Sequence, residues 1–218
     1  LDDEMRAQLL REATDAVLSV AIADRTSPLG RALQTAIAFA ADAGFDAVLA
    51  EALSRRNLLA GVHRFDHRGR HGFDALDVLY RDALRLPPDL RAREANAQLA
   101  ASTPDDELQR FVPALVAGSA SDVAAAQNVR TALAATSDAG RIAGLAAWFL
   151  TAAGEPRRTL ATRRVLDAQP WMDLASRAAQ ERFIQRREVR NKVVVVEAIV
   201  ALLRLAGGGF QRYGALEG

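Results

Sequence analysis

The chain has no cysteine among its 218 residues, which excludes disulfides, thiolate metal sites and cysteine nucleophiles. A chain without disulfides fits the cytoplasm. The sequence also lacks any apolar run near the roughly 20 residues that a transmembrane helix requires. We therefore expect a cytoplasmic protein with no membrane segment.

Aromatic residues are scarce, at 6% of the chain, whereas hydrophobic residues make up 50% and charged residues 25%. These proportions are typical of a globular protein rather than a disordered one. Because alanine is abundant and aromatic residues are few, we expect closely packed helices with small residues where they cross. The length suffices for one large domain or for two small helical lobes.

The motifs of nucleotide hydrolysis and of common hydrolases are absent. There is no G-x-x-x-x-G-K-[ST] loop, and the only lysine, Lys192, follows Asn191, so a phosphate-cradling loop is excluded. Neither a nucleophile elbow nor an HExxH pair is present. We expect no catalysis and no bound cofactor within this chain.

Capping and stop signals divide most of the chain into about nine helices. Ser27-Pro28 is typical of a helix start, and Gly154 lies where a left-handed helix cap is expected. The predicted helices span about 2–23, 28–44, 45–60, 73–86, 89–101, 104–117, 121–136, 141–153 and 171–205. The valines at 193–196 favour a strand by their β-branching, but charged helix formers flank them. We therefore assign them to the last helix and predict an all-α fold.

The segment "HRFDHRGRHG" at 63–72 contains the three histidines of the chain. His63, His67 and His71 have the i, i+4, i+8 spacing that could bind a metal on a continuous helix. Gly69 and the glycine that ends the segment disfavour a helix there, and the polar composition predicts an exposed loop. We predict no metal site.

The domain organisation follows from this loop. We predict a single helical domain over residues 1–218, which the loop could divide into sub-lobes at 1–62 and 73–206. The chain starts at Leu1 rather than at a methionine, so we expect it to be a fragment of a larger protein.

Positive charge concentrates in the second half of the chain. Residues 1–109 carry 13 basic and 18 acidic side chains, whereas residues 110–218 carry 15 basic and 9 acidic ones. The stretch "FLTAAGEPRRTLATRR" at 149–164 ends an apolar helix at a Gly-Glu-Pro turn and then has four arginines within eight residues. We call this stretch the basic elbow. Its arginines are Arg157, Arg158, Arg163 and Arg164.

The long last helix adds Arg182, Arg186, Arg187, Arg190 and Lys192. The four arginines named here fall within an arc of about 140° on a helical wheel. Such a strip can follow a phosphate backbone, because these contacts require charge and reach but no base-reading geometry. We predict that these side chains and the elbow arginines bind DNA. The alternative is a solvated arginine face paired with acids such as Glu181 and Glu188.

The basic elbow resembles a segment of the AddA family, the helicase-nuclease subunits of bacterial double-strand-break repair. In that family an apolar helix precedes a Leu-Thr-x-x-Gly-x-Pro-Arg-Lys turn and a threonine-basic pair. The matching residues here are Leu150, Thr151, Gly154, Glu155, Pro156, Arg157, Arg158, Thr162 and Arg163. The segments "LDDEMRAQLLREATDAVL" at 1–18 and "ALLRLAGGGFQRYGALEG" at 201–218 are also similar to family segments.

The resemblance implies that the chain is the helical insertion, domain 1B, of a UvrD/RecB-like superfamily 1 helicase. It implies contact with DNA near the motor and support of assembly with an AddB-type partner subunit. The ATP and magnesium site, the helicase motifs and the nuclease residues would belong to the parent protein outside this chain. The competing hypothesis is a free-standing helical module for protein–protein interaction or for dimerisation of a regulator.

Overall fold

The computed structural model describes residues 8, 12, 15, 16, 18–39, 61, 62 and 64–217. These residues are mostly helical, and the two named strands contribute only four residues. The predicted all-α fold is therefore confirmed. The predicted helix at 45–60, most of the predicted helix at 2–23 and the end of the one at 28–44 lie outside the described residues. No described helix combines the length and the apolar character needed to cross a bilayer.

Eight helices with defined bounds follow a helical stretch at 18–23 in the described chain. In chain order the elements are α1 (Pro28–Phe39), β1 (Asp66–His67), β2 (Arg70–His71), α2 (Gly72–Ala83), α3 (Ala92–Ala100), α4 (Asp105–Val116), α5 (Ala120–Ala134), α6 (Asp138–Phe149), α7 (Arg163–Ala168) and α8 (Trp171–Glu217). Helices α2 to α6 lie within a few residues of their predicted positions.

The polar segment after residue 63 is mostly exposed, but it forms a short β-hairpin, and the predicted exposed loop does not include these two paired strands. Asp66 pairs with His71, and His67 pairs with Arg70. The two turn residues between the strands have positive φ angles, 48° at Arg68 and 74° at Gly69. This is the backbone of a two-residue type I′ hairpin turn, for which glycine is well suited.

The last helix is longer than predicted. The valine run lies inside α8, as expected, but the helix continues through the three glycines at 207–209 to Glu217 instead of ending near residue 205. Gly207 packs against the ring of Phe73, and a Cβ atom at Gly207 would lie 2.6 Å from that ring. The glycine at this position thus allows a close approach within the helix and does not end it.

The chain divides into two compact units. The first comprises Leu1–Leu90 and Lys192–Gly218, and the second is Arg91–Asn191. These limits differ from the predicted sub-lobes, because the hairpin belongs to the first unit and does not link two lobes. His67 and Arg68 contact Asp82 of α2 at 2.9 and 3.1 Å. A single functional domain over the whole chain stays a prediction.

The second unit has a core built from α4, α5, α6 and the first part of α8. Four aromatic side chains contact one another in sequence. Phe111 meets Trp148 edge-on at 5.1 Å, Trp148 stacks on Phe149 at 4.6 Å, and Phe149 packs at a tilt against Phe183 at 5.5 Å between ring centroids. All four are nearly inaccessible to solvent. This core is the support on which the basic elbow lies.

Candidate nucleic-acid interface

The basic elbow is a tight loop and not a simple helix cap. Helix α6 ends at Phe149, earlier than predicted, because Leu150 takes an extended conformation and pairs with Pro156. The backbone N–H of Thr151 donates to the carbonyl of Glu155 at 2.7 Å. Gly154 has a φ of 79° at the tip of this loop. The predicted left-handed glycine is present, but it closes the loop that follows the helix.

Three side chains hold the elbow by donating to its carbonyl oxygens. Arg157 Nε donates to Leu150 at 2.7 Å. Gln180, buried on α8, donates to Phe149 at 2.8 Å and to Arg157 at 3.0 Å. Arg187 Nη1 donates to Gly154 at 2.9 Å. Arg157 and Arg187, which are predicted to bind DNA, thus contact carbonyl oxygens of the elbow itself.

Asp122 anchors the far end of the elbow. Its carboxylate accepts hydrogen bonds from the backbone N–H and hydroxyl of Thr162, at 2.7 and 2.5 Å. It also accepts from the backbone N–H and hydroxyl of Ser119, at 2.7 and 2.8 Å. Ser119 and Thr162 each precede a helix, α5 and α7. One buried carboxylate therefore connects two helix starts.

The surroundings of Asp122 favour its charged form. Burial by itself raises the pKa of the carboxyl group. The hydrogen bonds from Thr162 and Ser119 act in the opposite direction and outweigh burial, so that the pKa lies below its ordinary value. Asp122 is therefore a structural anion of the elbow, and its negative charge is satisfied by donors.

All four elbow arginines are exposed, but three of them do not hold the backbone of the elbow. The side chains of Arg158 and Arg164 make no hydrogen bond or ion pair with the residues that the structure describes. The Arg163 side chain is 92% exposed, and its nearest carboxylate, Asp167, lies 3.6 Å away and is itself exposed. An exposed ion pair of this kind contributes little to stability. These three guanidinium groups can meet an anion without breaking a strong internal contact.

The arginine row of α8 lies against polar side chains of α3 and α4. Arg182 pairs with Glu107 at 2.6 Å, whereas Arg186 and Arg190 donate to the amide oxygens of Gln98 and Asn96, both at 2.9 Å. The amide partners are neutral, so Arg186 and Arg190 keep their positive charge at the surface. Glu107 neutralises Arg182.

Lys192 differs from the other predicted residues. It is half-buried, and it belongs to the first compact unit, whereas the eight arginines belong to the second. The structure therefore gathers the arginines of the predicted interface within one unit and leaves Lys192 outside that unit.

A second basic feature lies beside the elbow, and no sequence pattern indicates it. The guanidinium carbon of Arg110 on α4 lies 5.0 Å from the ring centre of Trp171 at the start of α8. Arg164 of the elbow lines the same cleft. Arg110 and Trp171 are far apart in the chain, and no local spacing connects them.

The histidines of the hairpin each have one carboxylate partner. His67 Nε2 lies 2.9 Å from Asp82, and His71 Nδ1 contacts Asp66. His63 lies outside the described residues. Within the described ranges, no group of three histidine or acidic side chains has a geometry that could hold a metal ion.

The chemistry of this surface is that of anion binding. Exposed guanidinium groups supply charge and hydrogen-bond donors, and the nearest buried carboxylate, Asp122, is fully engaged in holding the backbone. Comparisons with protein-family models, with curated proteins and with solved structures found no significant match to this chain.

Proposed function

We propose that this chain is a non-catalytic helical domain that contacts the phosphate backbone of DNA through the basic elbow. The proposal rests on one observation. Three exposed arginines lie on a stretch of chain whose backbone is held in place by internal hydrogen bonds. Arg158, Arg163 and Arg164 present their charge to solvent. Side chains such as Gln180 and Asp122 fix the backbone that carries them.

A fixed loop favours binding because less conformational entropy is lost when a ligand orders the contacting groups. Guanidinium groups donate two parallel hydrogen bonds to phosphate oxygens, which gives them both strength and direction. Contacts of this kind position a protein on nucleic acid without reading its sequence. We therefore expect weak, sequence-independent binding that depends steeply on salt.

The resemblance of the elbow and of both chain ends to AddA supports a larger context for this activity. In that context the domain belongs to an ATP-dependent helicase-nuclease of double-strand-break repair in the cytoplasm. The parent protein supplies ATP and magnesium binding, the helicase motifs, the nuclease and the surface for an AddB-type subunit. The domain itself holds DNA close to the motor.

The test compares two triple variants with the same change in charge. Arg158, Arg163 and Arg164 are replaced by alanine in one variant, and the exposed residues Arg93, Arg130 and Arg177 in the control. Binding of a labelled duplex is measured by fluorescence anisotropy over a range of salt concentrations. The salt slope is the slope of the logarithm of the binding constant against the logarithm of the salt concentration. Removing one arginine–phosphate interaction should flatten this slope by about 0.9 for duplex DNA or 0.7 for a single strand.

We expect the slope of the elbow variant to flatten by the equivalent of two or three phosphate interactions and the slope of the control variant to stay unchanged. Equal flattening in both variants would show that only net charge matters, and the elbow would not be the interface. If the unmodified chain binds no DNA even at low salt, the alternative of a protein–protein interaction module is favoured.

A further inference from the structure

A cleft beside the elbow combines an aromatic ring with two positive charges. It has a volume of about 420 Å³, within the usual range for small-molecule sites. Helix α4 contributes Arg110 and Ala114 to its lining, and α7 contributes Arg164 and Val165. Trp171 is at the start of α8. All these residues belong to the second compact unit.

The indole ring of Trp171 has a fixed orientation. It stacks on Phe111 of the core, with 5.8 Å between ring centroids and an angle of 14° between the planes. Its Nε1–H donates to the side-chain oxygen of Gln169 at 2.8 Å. The ring is half-buried and lines the cleft. Because the ring is already held in place, little side-chain entropy is lost when a ligand packs beside it in the cleft.

The charge of the cleft is uncompensated by acidic groups. None of the described residues that line it is acidic. Arg110 and Arg164 are exposed, and neither makes an ion pair with the described residues. The guanidinium group of Arg110 lies 5.0 Å from the centre of the indole ring, a cation–π contact. The contact brings positive charge to the aromatic surface.

We infer that this cleft binds one nucleotide of a single-stranded DNA segment. The base stacks against the Trp171–Arg110 pair, and Arg164 contacts a neighbouring phosphate. Aromatic side chains in a basic groove are the general means of binding unpaired strands, because every base has a π-face. In a duplex these faces are occupied by the neighbouring bases. The inference rests on the proposed function and adds the form of DNA that is bound.

The fluorescence of Trp171 supplies the test. The chain has two tryptophans, and Trp148 is 2% exposed in the core, so quenching by an added strand reports on Trp171. The probe is an oligothymidylate of about 12 nucleotides, which matches common single-strand site sizes. A duplex closed by hairpins at both ends is the comparison ligand. We expect saturable quenching by the single strand and little by the duplex.

Two variants separate stacking from folding. Trp171→Phe keeps an aromatic ring on Phe111, and it should remove the quenching signal while reducing affinity for the strand only slightly. Arg110→Ala should weaken binding of the strand about 5- to 150-fold, the range for removal of one stacking interaction. Arg130→Ala, which removes an exposed arginine on α5, is the matched control and should have little effect. Thermal melting checks that each variant is folded.

The outcomes distinguish this inference from the proposed function. One outcome is that the salt slope for binding the strand depends on Arg158 and Arg163, whereas the strand does not quench Trp171 fluorescence and the Arg110→Ala variant binds it with unchanged affinity. In that case the DNA contacts only the elbow. The cleft is then not a nucleotide site, although the proposed function stands. If neither ligand binds, both proposals fail.

Discussion

At the scale of single residues, Asp122 holds the backbone in place at the far end of the elbow. Four donors from Ser119 and Thr162 converge on its carboxylate, and the residue is 2% exposed. Replacing it with asparagine keeps the shape but turns an NH₂ group toward these donors. Asp122→Asn should therefore lower the free energy of unfolding by about 1–3 kcal/mol. Urea unfolding followed by circular dichroism measures the change.

The effect of Asp122→Asn should depend on pH. Because hydrogen bonds lower the pKa of Asp122 in the folded chain, its charged form stabilises the fold. This stabilisation is complete above the unfolded-state pKa of about 3.9 and decreases as the pH falls through the folded-state pKa. The difference in stability between the wild-type chain and the variant should therefore shrink only in acid. Glu155→Gln, an exposed carboxylate change at the elbow, is the control. A difference that stays constant from about pH 7 to about pH 2 would contradict this assignment.

Arg157 and Arg158 are adjacent, yet we expect different roles for them. Arg157→Ala removes the hydrogen bond to the Leu150 carbonyl and should lower the free energy of unfolding by about 1 kcal/mol. Arg158→Ala removes an exposed side chain without an internal partner in the described structure and should leave stability within about 0.5 kcal/mol of the wild type. Thermal melts compare the two variants. Equal melting temperatures would show that the Arg157 side chain does not stabilise the elbow.

The same pair of residues shows what can be predicted of the candidate interface. A run of arginines after a Gly-Glu-Pro turn predicts an exposed basic loop, and Arg158, Arg163 and Arg164 are indeed exposed. The sequence does not show that Arg157 points back to a carbonyl oxygen, because that contact depends on where α6 ends. The Arg110–Trp171 contact depends on the packing of α4 against α8, which no local pattern encodes.

At the scale of secondary-structure elements, the crossing of α5 and α6 depends on one glycine. A Cβ atom at Gly144 would lie 2.6 Å from the backbone nitrogen of Ala132 and 2.9 Å from its Cα. Helix propensity alone would make Gly144→Ala stabilising by up to about 1 kcal/mol. We expect the opposite, a destabilisation of about 1–3 kcal/mol, because the two helices must move apart.

Gly140→Ala in the same helix is the matched control for Gly144→Ala. A Cβ atom there would meet only side-chain atoms, at 3.3 Å, so its stability should change little or rise slightly. Chemical unfolding of the two variants measures the difference. If both variants are equally stable, the crossing of α5 and α6 has room that the structure does not show.

The elements also differ in how well local signals predict them. The sequence predicts the existence of α5 and α6 but not their N-caps. Ser119, which forms a capping box, and Ser137, which accepts a hydrogen bond from Gly140, both precede the predicted helix starts at 121 and 141. The hairpin escapes prediction because its strands are only two residues long and Arg68 occupies a turn position that usually favours glycine or asparagine. The end of α8 escapes prediction because a tertiary contact with Phe73 makes Gly207 acceptable inside a helix.

At the scale of the whole molecule, the basic elbow and the Trp171 cleft lie in a continuous stretch of chain. Arg91–Asn191 contains the eight predicted arginines and Arg110, and it has a core of its own. Its length is that of a common small domain. The first unit consists of two separate stretches of chain. Nearly all of the surface that we propose to bind DNA therefore belongs to the second unit. Lys192 is the one predicted residue that belongs to the first unit.

We accordingly predict that a fragment of residues 91–191 folds by itself and binds DNA. It should show a cooperative thermal transition, because a continuous core that includes Phe111, Trp148 and Phe183 lies within it. Its salt slope should match that of the whole chain, or be flatter by about 0.7 to 0.9 if Lys192 contacts a phosphate. Lys192→Ala in the whole chain separates these two cases, since it should flatten the slope by the same amount if Lys192 contacts a phosphate.

A fragment without a cooperative transition would show that the core of the second unit requires the rest of the chain. A folded fragment whose slope is flatter by several times that amount would instead place most of the DNA interface in the first unit.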